Sequence, residues 1–313
     1  MDRQPSNMTR LFSASLGFAF VALSLMQATS TAQQSGAPGG KTRALKVMTY
    51  NIKHGQTNAA CTPPPPDSAK PPAPDCNLDL QASIAVIRSH APDIVGVQEV
   101  DRFWARSGML DEPAVLSAGL ELKHHCYAPN LDHGPDAHSS DAHQYGTVIL
   151  SRFPILECTN TLLARTGTNE QRGFTVAVID VGGPPLRFYN THLHTTAADR
   201  LLQTAQIATV IDAAPPGMKV LTGDFNARPG TPELAPIQPR LVDALQSAGK
   251  ASADNPEGHT SPARLTGSPA SRIDYIYVSR EVSVESVQVP IDAATRLASD
   301  HYPVVAQLRL PQQ

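Results

Sequence analysis

Two short stretches of this chain carry side chains that could do chemistry. Gly223-Asp224-Phe225-Asn226 follows the apolar run Lys219-Val220-Leu221-Thr222, and Ser299-Asp300-His301 lies near the C-terminus. Each sets a carboxylate beside a second polar group where an apolar strand ends. An unpaired charge buried there costs several kcal/mol, so a strand ends this way for a reason. Gly-Asp-Phe-Asn by itself also reads as an ordinary turn with an Asx hydrogen bond. The event recurs, however. Asn51 closes Thr49-Tyr50-Asn51-Ile52, Glu99 closes Gly96-Val97-Gln98-Glu99-Val100, and Asn190 and His192 close Asn190-Thr191-His192-Leu193. Asp274 sits in Arg272-Ile273-Asp274-Tyr275-Ile276. The repetition points to one cleft at a shared rim of the sheets.

The residue types define the chemistry of such a cleft. Glu99, Asn51 and Asp300 offer hard oxygen ligands without cysteine, a set that favours Mg²⁺, with Mn²⁺ or Ca²⁺ next, over zinc. The histidines leave a transition metal open. A divalent ion would polarise a phosphoryl oxygen and stabilise charge growing on it. Asp224 is placed to orient or deprotonate a water, with Asn226 beside it. A protonated His301 would donate to a phosphate oxygen, and Asp274 is the candidate carboxylate that keeps it charged. No Gly-x-Ser-x-Gly occurs, so direct attack by water is favoured over a covalent intermediate.

These groups need strands to position them. Alternation over Ala44–Ile52 and the apolar run Asp93–Val97 predict two strands. Further strands are predicted over Tyr145–Leu150, Ile155–Leu163, Arg172–Val181, Leu186–Leu193, Val220–Thr222, Ile273–Val278, Val282–Val289 and Val304–Leu310. Helical spacing of Leu80, Ile84, Ile87 and Ala91 predicts one helix. Another is expected over Thr196–Ala213, with Thr196 and Asp199 as a capping box and Leu201, Ala205, Ala208 and Ile211 on its apolar face. Helices between runs of hairpin-linked strands imply two packed mixed sheets flanked by helices rather than a doubly wound parallel sheet.

Arg3 and Arg10, the apolar Leu11–Leu25 and the small residues before Gln33 predict a signal peptide over residues 1–32, hence an exported, periplasmic or secreted protein. A flexible leader over 33–43 and one domain over 44–313 follow. The formal charge of the chain is −3; loss of Arg3, Arg10 and Asp2 makes it about −4. That balance excludes a generic nucleic-acid coat, which needs a basic stripe. No later segment is long and apolar enough to span a bilayer. Stable membrane insertion is not expected, and a monomer is. Four cysteines in an exported chain predict disulfides. Cys61 pairs with Cys76 across the Pro-rich Thr62–Asp75, and Cys126 with Cys158 between neighbouring strands.

The motifs together resemble those of the endonuclease/exonuclease/phosphatase superfamily. They are Thr-Tyr-Asn-Ile (49–52), Gln-Glu-Val (98–100), Tyr-Gly-Thr-Val-Ile-Leu-Ser-Arg (145–152), Glu-Gln-Arg-Gly (170–173), Asn-Thr-His-Leu (190–193), Gly-Asp-Phe-Asn (223–226), Arg-Ile-Asp-Tyr-Ile (272–276) and Ser-Asp-His (299–301). The likeness runs from about residue 44 to 310. It implies a four-layer α/β/β/α sandwich, deoxyribonuclease I-like, and metal-dependent phosphoester cleavage. It implies Glu99 as the main metal ligand with Asn51 and Asp300 in support. Asp224 would align water, Asn226 would hold a phosphate oxygen or the metal, and His301, oriented by Asp274, would stabilise the transition state or protonate the leaving group. His192 joins the expected catalytic set; Tyr145, Arg172 and Asn190 are expected to contact substrate. His192, where the apurinic-site repair branch has tyrosine, resembles the branch of pancreatic-type deoxyribonuclease, bacterial sphingomyelinase and inositol phosphatases. Lys53, where the repair branch has aspartate, removes that metal contact, and both departures weigh against a DNA-repair role without picking one substrate.

Other residues read two ways. Lys53 and His54 contact phosphate or sit in a solvated loop. Arg172 bridges phosphate or pairs with Glu170. His124, His125, His133, His138 and His143 read as a solvated loop that overhangs the cleft. His194 shares a strand face with His192. Trp104 rims the site or anchors its loop. The expected substrate is a nucleic acid or small diester. Alternatives are a phospholipid head group or inositol phosphate, and a non-catalytic module on the same scaffold. An intact residue set opposes the last, and the lack of an apolar hairpin opposes a lipid substrate.

Overall fold

The computed structural model describes residues 42–62, 74–135, 142–250 and 256–312. The signal peptide and most of the leader expected at the N-terminus lie outside the described residues. So do His138 and most of the Pro-rich loop. The described residues fall in one unit that begins at Gly40.

Among the described residues twelve strands form two six-stranded sheets. The first contains β1 (Thr42–Asn51), β2 (Ile94–Arg102), β3 (His124–His133), β4 (His143–Ser151), β11 (Ser283–Gln288) and β12 (Val304–Pro311), ordered β11-β12-β1-β2-β4-β3. The second contains β5 (Ile155–Leu162), β6 (Gly173–Ile179), β7 (Leu186–His192), β8 (Lys219–Asp224), β9 (Val242–Asp243) and β10 (Asp274–Val278), ordered β5-β6-β7-β8-β10-β9. β1/β2 and β7/β8 are parallel; the other neighbours are antiparallel. Both sheets are therefore mixed, as expected. β1 starts at Thr42, two residues inside the expected leader.

Strand alternation sorts the side chains into layers. Leu45, Val47, Ile94 and Ile149 meet Phe188, Val220, Ile276 and Val278 between the sheets. On the outer face of the first sheet, Met48, Tyr50, Val95 and Val97 pack under α1 (Leu80–His90) and α2 (Glu112–Leu120) through Ile84, Ile87 and Leu116. Outside the second sheet, Tyr189, Leu221, Tyr275 and Tyr277 pack with Ile207 and Ile211 of α3 (Ala197–Ala213). The described residues also include two short α-helices, α4 (Ala244–Ser247) and α5 (Ala293–Ala298).

Along the inter-sheet face each strand changes character toward one end. Leu45 and Val47 give way to Thr49 and then Asn51; Phe188 gives way to Asn190 and His192; Val220 gives way to Thr222 and Asp224. The middle level is a polar network. Gln98 Nε2 donates to Thr49 Oγ1 at 3.0 Å and to Asn190 Oδ1 at 2.7 Å, and Thr222 Oγ1 lies 3.1 Å from the same Asn190 oxygen. Asn190 Nδ2 donates to the carbonyls of Val97 and Val148 at 3.0 and 3.3 Å. These bonds satisfy the Asn190 amide, the Gln98 Nε2 and the Thr222 hydroxyl, which burial would otherwise leave costly, while Gln98 Oε1 stays without a protein partner.

Several local expectations are revised. Thr196 is the residue before α3 but makes no side-chain cap: its Oγ1 lies 3.1 Å from His194 Nδ1, and Asp199 accepts from Thr166 and Asn169. Leu201 is 44% exposed while Gln203, Thr204 and Ile207 are buried, so the packed face is rotated from the expected one. The expected solvated loop is largely strand: His124, His125 and His133 belong to β3, in which only alternate residues are buried, and His143 begins β4. Both disulfides form as expected, with Cα separations of 6.0 Å for Cys61–Cys76 and 5.7 Å for Cys126–Cys158. The second joins the two sheets through β3 and β5. Among the described residues no helix is long and apolar enough to cross a membrane.

Candidate active site

Strand direction brings the polar residues together. The parallel register sets Asn51 opposite Gln98, so Asn51 and Glu99 leave the first sheet side by side. In the second sheet His192 is opposite Asp224. β10 runs against β8 and begins with Asp274 opposite Asp224. β12 runs against β1 with Val304 opposite Thr49, so the preceding Ser299-Asp300-His301 reaches the same rim. Parallel strands contribute their ends and their antiparallel neighbours their beginnings.

Hydrogen bonds close the gap between the sheets. Asn51 Nδ2 donates to Glu99 Oε1 at 2.9 Å and to Asp224 Oδ2 at 3.1 Å. Its Oδ1 accepts from the Lys53 amide at 3.0 Å. Asn51, expected as an oxygen ligand, thus turns its nitrogen to the carboxylates and holds them in place. Ser299 Oγ, a residue the sequence reading left without a role, donates to the Asn51 carbonyl at 2.8 Å and ties the C-terminal motif to β1. Asp224 Oδ1 accepts the Asn226 amide at 2.9 Å.

Glu99 sits at a β-bulge. Gln98 pairs with Thr147 and Val100 with Gly146, which leaves Glu99 outside the ladder at φ 57°. Such a conformation is uncommon for a non-glycine residue, and bulges re-aim side chains beside active sites. The Glu99 side chain is 24% exposed, against 2% for Asp224. Asn226 is also left-handed, at φ 49°.

His301 Nδ1 lies 2.9 Å from Asp274 Oδ2, and its Nε2 lies 3.7 Å from Asp224 Oδ2. Burial by itself would favour the neutral ring, but the carboxylates of Asp274, Asp224 and Asp300 outweigh it and hold His301 well above the usual imidazole range. Burial, then the nearby Asp274 charge, pushes Asp224 up to about 7. His192 moves the other way, lowered by burial and by the Arg172 charge. Arg172 Nη1 is 2.9 Å from His192 Nδ1. A guanidinium only donates, so Nδ1 accepts and Nε2 keeps the proton, facing Asp224 Oδ2 at 3.4 Å and Glu99 Oε1 at 4.0 Å. Asn226 Nδ2 lies 3.2 Å from the same Nε2 and donates to the Leu193 carbonyl at 2.9 Å.

The remaining expected residues divide. Arg172 pairs with Glu170 at 2.9 Å as well as with His192, and is only 7% exposed. Tyr145, also buried, hydrogen-bonds Arg172 and feels the Glu99 charge; burial foremost keeps its phenol protonated. Both lie beneath the rim. Asn190, expected at the substrate, lies in the polar network between the sheets with 0% exposure. His194 turns away toward Thr196, which its Nδ1 meets at 3.1 Å. Asp300 is partly exposed and pairs with Lys53 at 3.3 Å. His54 bonds Asp75 at 3.0 Å, which accounts for it without phosphate. Neither the Lys53–Asp300 pair nor the turn of Asn51 has a signal in the sequence, since both depend on distant backbone positions.

The donor set fits a hard divalent ion. Glu99, Asp224, Asp274 and Asp300 crowd one rim, and burial beside Asp274 already raises Asp224. A dication would relieve that repulsion. Asp224, Asp274 and His301 present ligand atoms within 4.8 Å of one another. The Asp274–His301 bond uses one atom of each, so these two are better described as an oriented imidazole. The more open Glu99 and Asp300 are better suited to hold the ion. A separate concavity lined by Gln238, Leu241, Arg272 and Tyr277 contains none of the rim residues, and its Arg272 is paired with Asp243 at 2.5 Å.

Two packed mixed sheets with a carboxylate–imidazole rim define a deoxyribonuclease I-like class of protein. Residues 48–301 match the Endonuclease/Exonuclease/phosphatase family, and the chain belongs to it. An endonuclease/exonuclease/phosphatase structure from Beutenbergia cavernae is 25% identical with a TM-score of 0.66, covering 86% of this chain and 72% of its own. The mannosyl-6-phosphatase Bt3783 of Bacteroides thetaiotaomicron is 18% identical with a TM-score of 0.57, over 84% and 99%. Truncated TDP2 of Caenorhabditis elegans is 20% identical with a TM-score of 0.54, over 85% and 97%. The latter two share the fold. No curated protein matches the chain.

Proposed function

We propose that this protein is an exported, divalent-metal-dependent hydrolase that cleaves a phosphoester, foremost a phosphodiester of a nucleic acid or small molecule, by direct attack of water. The observation that carries the reading is the meeting of Asn51, Glu99, His192, Asp224, Asn226, Asp274 and His301 at one rim, with His301 bonded to Asp274 at 2.9 Å. Glu99 and Asp300 would hold the ion, and Asn51 would fix Glu99. When bound, Mg²⁺ would supply Lewis-acid polarisation of the phosphoryl oxygen.

The protein groups do the rest. Asp224 receives the water proton as its oxygen bonds to phosphorus; a pKa pushed to about 7 suits that task. His301, kept cationic by Asp274, donates its Nε2 proton to a phosphoryl oxygen or to the leaving oxygen as the old P–O bond breaks. His192 and Asn226 supply further N–H groups to the phosphate. Arg172 and Tyr145 act from below, through the His192 ring.

A mannosyl-6-phosphatase and a TDP2 structure on the same fold support the phosphoester class. Export is supported by the residues 1–32 pattern and by two disulfides, which persist in oxidising compartments. A lipid substrate has weaker support: Leu156 and Leu162 are exposed on β5, but Glu157, Cys158 and Thr159 lie between them, so β5 offers no continuous apolar surface. The test is hydrolysis of DNA, sphingomyelin and bis(p-nitrophenyl) phosphate with Mg²⁺, Mn²⁺ or Ca²⁺, each with and without chelator. Cleavage that chelator abolishes and Mg²⁺ restores is expected. No turnover of any substrate with any ion would sink the proposal.

A further inference from the structure

Trp104 is the chain's single tryptophan. It leaves β2 just after Glu99 and is part of a cluster that the hydrolytic chemistry does not use. Its ring lies 4.7 Å from that of His143 and 5.6 Å from that of His133, edge to face with both, and the two imidazoles stack 5.2 Å apart. Nε1 donates to the Gln144 carbonyl at 2.8 Å, which fixes the indole against the start of β4. The Arg106 guanidinium sits 4.9 Å from the Trp104 ring and 5.3 Å from that of Tyr145. Two bonds to Asp101, at 2.8 and 2.7 Å, hold it there.

Strand register brings this cluster toward the rim: Tyr145 pairs with Asp101 and its neighbour Gly146 with Val100, beside the bulge that carries Glu99. Tyr145 and Arg106 both feel the Glu99 charge, and Tyr145 bonds the Arg172 that bonds His192. Yet Trp104 and His143 are only partly buried and His133 is exposed. Rings that only closed a core would be covered. These rings are fixed in orientation and partly open, and the Arg106 that lies against Trp104 also lies against the ring of Tyr145, the residue that pairs with Asp101 just past the Glu99 bulge.

We propose that Trp104, His143 and His133 form a wall that receives a planar aromatic group of the substrate next to the scissile phosphoester. The chemistry is that of ring packing, which every nucleobase and every aryl ester satisfies and an aliphatic alcohol does not. This proposal rests on the phosphoester reading for its place in catalysis, but ring binding can be measured without turnover.

Fluorescence of the wild-type protein reports the wall directly, because Trp104 is its sole source of tryptophan emission. Thymidine 5′-monophosphate, p-nitrophenyl phosphate and glycerol phosphate are titrated in the presence of Mg²⁺. Saturable quenching or a spectral shift with a ring-bearing ligand, and none with glycerol phosphate, is expected. A response to the nucleotide alone assigns a nucleobase; a response to the aryl ester alone assigns another aromatic group. Equal responses to all three, or none, overturn the proposal. In parallel, Trp104→Ala and the exposed His133→Ala are assayed on a dinucleotide, on bis(p-nitrophenyl) phosphate and on glycerophosphocholine. A fall in kcat/KM on the order of tenfold is expected for the ring-bearing diesters, mainly through KM, with glycerophosphocholine unaffected. Equal losses on all three overturn the proposal. Quenching without turnover of any diester by the wild type leaves the wall standing and removes the phosphodiesterase reading instead.

Discussion

The Nδ1 atom of His301 lies 2.9 Å from Oδ2 of Asp274, which joins the segment entering β12 in one sheet to the first residue of β10 in the other. The bond orients the ring so that Nε2 faces Asp224 across the cleft. The Asp274 carboxylate is also foremost among the groups that raise the ring's pKa against burial. Several consequences are measurable.

Asp274→Asn removes the carboxylate that does most to oppose the desolvation of His301. Activity that requires the imidazolium is present below the His301 pKa and is lost as pH rises through it. The alkaline limb of the wild-type kcat profile therefore lies well above the usual histidine range, and in Asp274→Asn it moves to lower pH. Turnover at pH 8 falls on the order of 10²-fold or more. An unchanged alkaline limb would falsify the role given to Asp274.

Asp224→Asn separates stability from activity. Burial and Asp274 raise the Asp224 pKa from 3.8 to about 7. The folded state then binds the extra proton, so the stability contributed by this group is complete below the ordinary carboxylate pKa and is lost as pH rises toward 7. With chelator present, the asparagine variant is expected to melt at or above the wild-type temperature at pH 8, while turnover with Mg²⁺ drops on the order of 10²-fold or more. A lower melting temperature with normal turnover contradicts both halves.

Gly96→Ala tests the polar layer beneath the site. A Cβ there would lie 2.2 Å from Thr222 Oγ1 and 2.7 Å from Asn190 Oδ1, inside a fully buried network. The sheets must separate or the network must break, at a cost of about 1–3 kcal/mol. Urea titration should record that loss. Wild-type stability in this variant would show that the two sheets approach less closely here.

The Cys126–Cys158 bridge closes a separation of 32 residues and crosses between sheets. Replacing both cysteines with alanine should lower stability by roughly 3–4 kcal/mol on the chain-entropy estimate, with little change in kcat, since neither residue belongs to the rim. Unchanged denaturant midpoints would show that the bridge contributes little.

The sequence by itself indicated most of the strands and the residues at their ends, while β3, α2 and the packed face of α3 appear only in the structure. Alternation in Leu45-Lys46-Val47 and the apolar run through Ile94 and Val95 are local facts, and so is the placing of Asp224 or Glu99 at a strand end. The cysteine partners followed from position along the chain. What the sequence could not assign was depth. Asn190 and His192 lie on the same face of β7, two residues apart, and alternation treats them alike. Only the opposing sheet distinguishes them: β2 covers Asn190 through Gly96 and Gln98, whereas His192 lies beyond that cover, against Asp224. The left-handed backbone of Glu99, the inward amide of Asn51 and the Lys53–Asp300 pair have the same origin. Each depends on a partner dozens to hundreds of residues away. Hydrophobic pattern is a property of neighbours in sequence, while the protonation and direction of these side chains are set by the field and contacts of residues that meet only once both sheets have closed.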